Sequence, residues 1–174
     1  MQHSAPVWLV GMMGAGKSSV GPALARRLGC PFLDTDVEVE RVANRSVAEI
    51  FTVEGEAGFR ARERAAVAAC TQRAAVVALG GGAVAEPETE ALVSAAGAIV
   101  YLRARPETLL ARLGDAEQRP LLAGRGEAER LQCLRELLAA RETAYSRARV
   151  QVDTDERTLD EVVEAIVVEL GETQ

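Results

Sequence analysis

The chain has 174 residues, of which 48% are hydrophobic and 26% are charged. Its 20 basic and 26 acidic side chains give a formal net charge of −6. This composition excludes a disordered chain, and the acidic balance argues against binding nucleic acid through its phosphates. The length predicts one domain, residues 1–174, that can bury a core without disulfides or structural metals.

Targeting and redox features predict a cytoplasmic protein. The first residues lack the basic and apolar regions of a secretory signal, and no apolar run approaches the roughly 18 residues that span a membrane. The three cysteines are far apart and form no Cys-x-x-Cys motif, which favours free thiols in a reducing compartment. We expect no membrane or nucleic-acid partner, and we expect a monomer because the predicted fold needs no partner.

Short apolar runs predict five strands, at residues 7–10, 31–33, 75–79, 98–102 and 150–152. Helices are predicted between them, at residues 17–28, 56–70, 106–113 and 131–147, and others begin at Ser46, Pro87 and Thr158. The glycine-bounded residues 114–126 are predicted to form a mobile loop. Apolar strands that alternate with helices indicate a three-layer α/β/α sandwich around a parallel sheet.

The strongest motif lies at residues 11–18, Gly-Met-Met-Gly-Ala-Gly-Lys-Ser, which match G-x-x-x-x-G-K-[ST] between a predicted strand and a predicted helix. Backbone N–H groups and the helix N-terminus of such a loop hold phosphate oxygens. Lys17 is the only lysine in the chain; it reaches the β- and γ-phosphates, and the Ser18 hydroxyl ligates Mg²⁺. The motif predicts a nucleoside triphosphate site but does not identify the phosphoryl acceptor.

Two further loops are expected to meet the phosphate loop, because the carboxyl ends of parallel strands share one edge of a sheet. Asp34 and Asp36 follow the second strand, where period-two alternation sends both carboxylates to the same side. One can lie near the metal while the other accepts a proton from an attacking hydroxyl; a helix N-cap is the alternative for Asp36. Residues 80–82, three glycines, expose N–H groups to a small ligand or form a flexible turn.

Three arginines are candidates for anion binding. Arg60 is predicted near the start of a helix, where the dipole disfavours a cation, so a binding role is favoured. Arg119 lies in the glycine-bounded loop, from which it can close over phosphates and stabilise transition-state charge. The position of Arg141 within a helix, taken alone, is typical of a solvated face.

Taken together, these motifs resemble those of the shikimate kinases, P-loop kinases of the nucleoside monophosphate kinase-like superfamily. The resemblance runs from about residue 7 to residue 170 and is carried, in order, by GMMGAGKSSVG, FLDTD, SVAEIF, GEAGFRARE, ALGGGAV and RPLL. It implies a P-loop NTPase fold with strand order 2-3-1-4-5. It also implies Mg²⁺-dependent transfer of the γ-phosphoryl group of ATP to the 3-hydroxyl of shikimate, in aromatic amino-acid synthesis.

The resemblance implies a role for each candidate residue. The implied catalytic residues are Asp36, which also holds the acceptor hydroxyls, Lys17 and Arg119. The implied shikimate site consists of Asp36, Gly80, Gly81, Gly82 and the carboxylate-binding pair Arg60 and Arg141. The implied nucleotide site consists of Gly14, Ala15, Gly16, Lys17, Ser18, Ser19, Arg119 and Arg112, the last near adenine, and the implied metal ligands are Ser18 and Asp34. The shikimate-binding helical segment would span residues 37–70 and the lid residues 114–126.

Two alternatives stay open from the sequence: another small-metabolite kinase of this fold, such as a gluconate kinase, and a nucleotide-binding regulator without catalysis. Asp36, Arg60 and Arg141 together count against the first. The retained phosphate-loop and carboxylate residues count against the second. The chain departs from the family pattern at Ser19, where threonine is common, and before Tyr145, where relatives usually have a proline.

Overall fold

The computed structural model describes residues 5–114 and 121–171. Five parallel strands form one sheet in the order β2-β3-β1-β4-β5. They are β1 (Val7–Val10), β2 (Phe32–Asp34), β3 (Val76–Ala78), β4 (Ala98–Arg103) and β5 (Val150–Asp153). The helices are α1 (Lys17–Leu28), α2 (Thr35–Ala43), α3 (Val47–Cys70), α4 (Pro87–Ala96), α5 (Pro106–Leu113), α6 (Glu127–Tyr145) and α7 (Leu159–Gly171).

The central strand β1 shows that both faces of the sheet are covered. All four of its residues are buried, although successive side chains of a strand point to opposite faces. Val7 pairs with Val76 of β3 on one side and with Ala98 of β4 on the other. The predicted parallel sheet and the implied strand order are therefore confirmed.

Local signals in the sequence start and stop the helices as predicted. Helix α1 ends at Gly29, which adopts a left-handed conformation with φ of 70°. Ser46 and Glu49 form the expected capping box at the start of α3, and Thr158 and Glu161 exchange the same pair of bonds before α7. None of the helices in the described ranges is long and apolar enough to cross a membrane.

Helix α3 is interrupted at Gly55, whose φ of 70° and ψ of −175° are not helical. The interruption separates residues 47–54 from residues 56–70, which agrees with the helix predicted to begin at position 56. Val39, Ile50 and Phe59 form a small hydrophobic cluster between α2 and the two parts of α3, separate from the main core. The segment that carries Arg60 therefore packs on α2 through this cluster, while Val67 and Cys70 later in α3 belong to the main core.

Helix α6 differs from its predicted bounds, since it begins at Glu127 instead of residue 131 and ends at Tyr145 instead of residue 147. The Glu129 carboxylate accepts a hydrogen bond from the Gly126 N–H at 3.0 Å and so starts the helix one turn early. Leu122, at the end of the predicted mobile loop, is fully buried, and its carbonyl accepts from Arg130 Nε at 3.2 Å. Residues 115–120, which include Arg119, lie outside the described residues.

Candidate active site

The phosphate loop joins β1 to α1 and is packed closely against the neighbouring strand. A Cβ atom at Gly11 would lie 2.6 Å from the Leu102 carbonyl oxygen, so only glycine fits at this position. Lys17 Nζ donates to the carbonyl oxygens of Gly11 at 2.6 Å and Met12 at 3.0 Å. The side chain of the only lysine in the chain thus folds over the phosphate loop.

Arg112 connects the phosphate loop to the segment after β5. Its guanidinium donates to the Thr154 hydroxyl at 2.9 Å, to the Thr154 carbonyl at 2.7 Å and to the Gly14 carbonyl at 3.4 Å. Thr154 is buried, and its hydroxyl also donates to the Arg103 carbonyl at 3.1 Å. These bonds join the phosphate loop to the segment that follows β5.

Asp34 and Asp36 are neighbours for a different reason from the predicted one. Helix α2 begins at Thr35, so Asp36 belongs to a helix and strand alternation does not orient it. The Asp34 carboxylate is the N-cap: its Oδ1 accepts from the Asp36 N–H at 2.9 Å and from the Val37 N–H at 3.4 Å. The cap brings the two residues together and leaves the Asp36 side chain on the first turn of α2.

The Thr35 hydroxyl connects the loops that follow β2 and β3. It donates to the Ala78 carbonyl at 3.3 Å and accepts from the Gly80 N–H at 3.3 Å, and Thr35 is fully buried. The start of α2 and the three glycines, residues 80–82, which we call the glycine loop, therefore occupy fixed positions relative to each other.

Two carboxylates lie against the first glycine of this loop. A Cβ atom at Gly80 would lie 2.3 Å from Glu63 Oε1 and 3.0 Å from Asp36 Oδ1. Glu63 is 1% exposed, and its Oε2 accepts from Arg60 Nη1 at 2.6 Å. A side chain at position 80 would therefore have to displace these two carboxylates.

The two predicted carboxylate-binding arginines reach the same loop from different helices. A Cβ atom at Gly82 would lie 2.5 Å from Arg60 Nη2, and one at Gly81 would lie 3.2 Å from Arg141 Nη1. The Arg141 guanidinium also contacts Met12 Sδ at 3.5 Å. Arg141 is therefore half-buried beside the phosphate loop and does not lie on a solvated helix face.

Residues 13–171 match the family model described as shikimate kinase. A shikimate kinase of Symbiobacterium thermophilum is 47% identical over 168 residues, which cover 94% of this chain and 95% of the relative. A shikimate kinase of Bordetella pertussis is 42% identical over 172 residues, covering 98% of this chain and 80% of the relative.

A solved structure of the shikimate kinase from Acinetobacter baumannii in complex with shikimate superimposes with a TM-score of 0.92. It is 34% identical and covers 99% of this chain and 96% of its own. The chain belongs to the shikimate kinase family. It is an ATP-dependent kinase with the P-loop fold that the sequence predicted.

Glu63 is a member of the kinase site that the sequence reasoning missed. Burial raises the pKa of its carboxyl above the usual range, the bond to Arg60 opposes that rise, and the negative charges of Asp36 and Glu86 add to it. Its Oε1 is buried without a hydrogen-bond partner among the described residues. The available signal was its spacing, because a residue three positions after Arg60 on a helix lies on the same face.

Tyr145 is the second missed residue of the kinase site. It is fully buried at the end of α6, and its hydroxyl donates to the Gly81 carbonyl. Its ring stacks on that of Tyr101, with centroids 4.9 Å apart. The resemblance includes this late arginine and tyrosine without giving the tyrosine a role, and its place four residues after Arg141 puts both side chains on one face of the helix.

The predicted metal ligands fit a magnesium ion that is bound together with phosphates. The described ranges contain no group of three histidine, cysteine or acidic side chains that could hold a metal by themselves. Magnesium in phosphate-transfer sites needs only one or two protein oxygens, since phosphates and water complete its shell. The exposed Ser18 hydroxyl on the first turn of α1 and the Asp34 carboxylate carry oxygen atoms of the type that such a site needs.

The raised pKa of Glu63 predicts a pH-dependent stability. The folded chain holds the Glu63 proton more tightly than the unfolded chain does, so stabilisation by this proton is complete below about pH 4.5 and is lost as the pH rises through the native pKa. The free energy of unfolding of the wild type minus that of Glu63→Gln, measured by urea titration, should therefore fall as the pH rises.

Glu49→Gln is the control for this measurement, because its shift has the opposite sign. The Ser46 backbone N–H lowers the pKa of the exposed Glu49 carboxyl, so its stabilisation is present at neutral pH and lost on acidification. For Glu49 the difference from wild type should rise with pH. Equal slopes for the two variants would contradict the assigned environment of Glu63.

Proposed function

We propose that this kinase transfers the γ-phosphoryl group of ATP to the 3-hydroxyl of shikimate, giving shikimate 3-phosphate and ADP, with Mg²⁺ as the metal. The observation that carries the proposal is the convergence of two guanidinium groups and two carboxylates on the glycine loop, beside the phosphate loop. The two loops are in direct proximity, because a Cβ atom at Gly81 would lie 3.6 Å from the Gly11 carbonyl oxygen.

The chemistry of shikimate matches these groups. Shikimate is a small carboxylic acid with three hydroxyls, so it needs cations at one end and hydrogen-bond acceptors at the other. Arg60 and Arg141 supply charge-assisted donors for the carboxylate. The Asp36 carboxylate accepts from the acceptor hydroxyls and takes the proton of the attacking hydroxyl. A large basic surface is not required for so small an anion, which agrees with the net charge of −6.

The nucleotide side uses the phosphate loop. Backbone N–H groups of Gly14, Ala15 and Gly16 and the start of α1, including Ser19, hold phosphate oxygens, and Lys17 neutralises the β- and γ-phosphates. Ser18 and Asp34 would hold Mg²⁺, which when bound would neutralise part of the phosphate charge. Arg112 is assigned to the adenine side from the family resemblance, and its bonds to Thr154 fix its position beside the phosphate loop.

The proposal extends to the lid, the domain organisation, the location and the oligomeric state of the kinase. Arg119 and the lid at residues 114–126 are assigned from the sequence pattern, with Arg119 closing on the phosphates. We assign the whole chain to one domain, with the shikimate-binding segment at residues 37–70. The three cysteines are free thiols in the structure, which supports a cytoplasmic, reducing location. We propose that the kinase acts as a monomer and binds no nucleic acid.

The proposed reaction predicts ADP release that depends on shikimate. Purified protein with Mg-ATP should release ADP with shikimate and stay near background with gluconate or without an acceptor, as followed by a coupled ADP assay. ADP release with gluconate instead of shikimate would agree with the P-loop kinase fold and would contradict the assigned shikimate site. Detectable ATP binding without ADP release under any of these conditions would favour the alternative of a nucleotide-binding regulator without catalysis.

Asp36→Asn should lower kcat by about 100-fold or more, because general-base catalysis and alignment of the hydroxyl are lost together. The KM for ATP should be retained, since Asp36 lies on the acceptor side. Glu38→Gln is the matched control: it is on the same helix and its carboxylate pairs with Arg41 at 2.9 Å. A kcat for Asp36→Asn equal to that of the control would refute the assigned role.

Arg60→Ala and Arg141→Ala should each raise the KM for shikimate by about 10- to 100-fold, the loss expected for one charge-assisted contact. The KM for ATP should change little. Arg135→Ala is the control on α6, where the exposed guanidinium pairs with Glu107 at 2.7 Å. An equal rise in both KM values for either site variant would contradict the carboxylate-binding assignment.

A further inference from the structure

The hydrogen bonds of the glycine loop leave two donors unused. The carbonyl of Gly80 accepts from the Ala83 N–H at 3.0 Å, and that of Gly82 accepts from the Ala85 N–H at 3.1 Å. The Gly80 N–H donates to Thr35. Within residues 5–114 and 121–171, the N–H groups of Gly81 and Gly82 donate to nothing, although Gly82 is buried. Buried backbone N–H groups are rarely left without an acceptor.

The remaining carbonyl, that of Gly81, is held by a side chain from another element. It accepts from the hydroxyl of Tyr145 at the end of α6. The C=O and N–H of a trans peptide point in opposite directions, and the described residues contain no cis peptide. The bond that holds the Gly81 carbonyl toward Tyr145 therefore directs the Gly82 N–H away from Tyr145.

The Tyr145 hydroxyl also interacts with Arg141, one of the two arginines of the site. Burial raises the pKa of Tyr145 to about 12, while its interaction with the Arg141 guanidinium acts in the opposite direction. The hydroxyl is thus protonated at neutral pH and available as a donor to Gly81. The ring cannot swing away, because Tyr145 is fully buried and stacked on Tyr101.

We propose that Tyr145 is a positioning residue for shikimate: its hydroxyl fixes the peptide between Gly81 and Gly82, so that the Gly82 N–H is preset as a donor to the substrate beside Arg60. This inference rests on the proposed function. It explains why a buried tyrosine hydroxyl is directed at a backbone carbonyl of the loop instead of at solvent. A glycine peptide without this bond could rotate, because glycine has few steric restrictions on φ and ψ.

The test compares two variants that each lose one buried hydroxyl from the same stacked pair. Tyr145→Phe should raise the KM for shikimate about tenfold and weaken shikimate binding, measured by calorimetry without nucleotide, by the same factor. Its kcat and its KM for ATP should stay within about twofold of the wild-type values. Tyr101→Phe, whose lost hydroxyl donates to Glu142 at 3.1 Å and not to the glycine loop, should leave the KM for shikimate unchanged.

A second measurement observes the donor directly and does not depend on a folded variant. In wild-type protein labelled with ¹⁵N-glycine, saturating shikimate should move the amide resonance of Gly82 and slow its hydrogen exchange. An unmoved Gly82 resonance, or a Tyr145→Phe variant with the wild-type KM for shikimate, would overturn the inference. If wild-type protein neither binds nor phosphorylates shikimate, the proposed function fails instead, and the two failures are therefore distinguishable.

Discussion

Close approach of charged side chains to the backbone of the glycine loop is the constraint on which the site depends. Glu63, Arg60 and Arg141 come so near that a Cβ atom at the facing glycine would lie 2.3, 2.5 and 3.2 Å from their terminal atoms. A side chain at any of these positions would displace the facing charged group, so the glycines allow this close approach. The three groups come from α3 and α6, so the glycine loop is the place where these helices and the sheet meet.

The surrounding bonds keep this loop in place from several directions. Thr35 links it to the start of α2, and Tyr145 links it to the end of α6. Arg141, in contact with Met12, lies between the glycine loop and the phosphate loop. Because each bond joins elements far apart in sequence, the acceptor side and the nucleotide side are held together by the tertiary structure and not by a continuous segment.

The buried charges have an electrostatic consequence. Burial raises the pKa of the Glu63 carboxyl and the negative charge of Asp36 adds to that rise, while the bond to Arg60 opposes it. Buried ion pairs contribute little net stability because desolvation offsets attraction. The ion pair between Glu63 and Arg60 instead acts on position, because Glu63 holds the Arg60 guanidinium beside Gly82.

Much of the architecture was determined by the sequence itself. The glycine and lysine pattern of residues 11–18, the capping boxes at Ser46 and Thr158 and the apolar runs fixed the elements and their order, because turns, caps and burial act over a few residues. The site was predicted through loops at the ends of parallel strands. What only the tertiary structure decided were contacts between distant elements: the Asp34 cap that replaced strand alternation, the burial of Arg141, and the roles of Glu63 and Tyr145. Those depend on angles and distances between packed helices, which no local pattern of residues specifies.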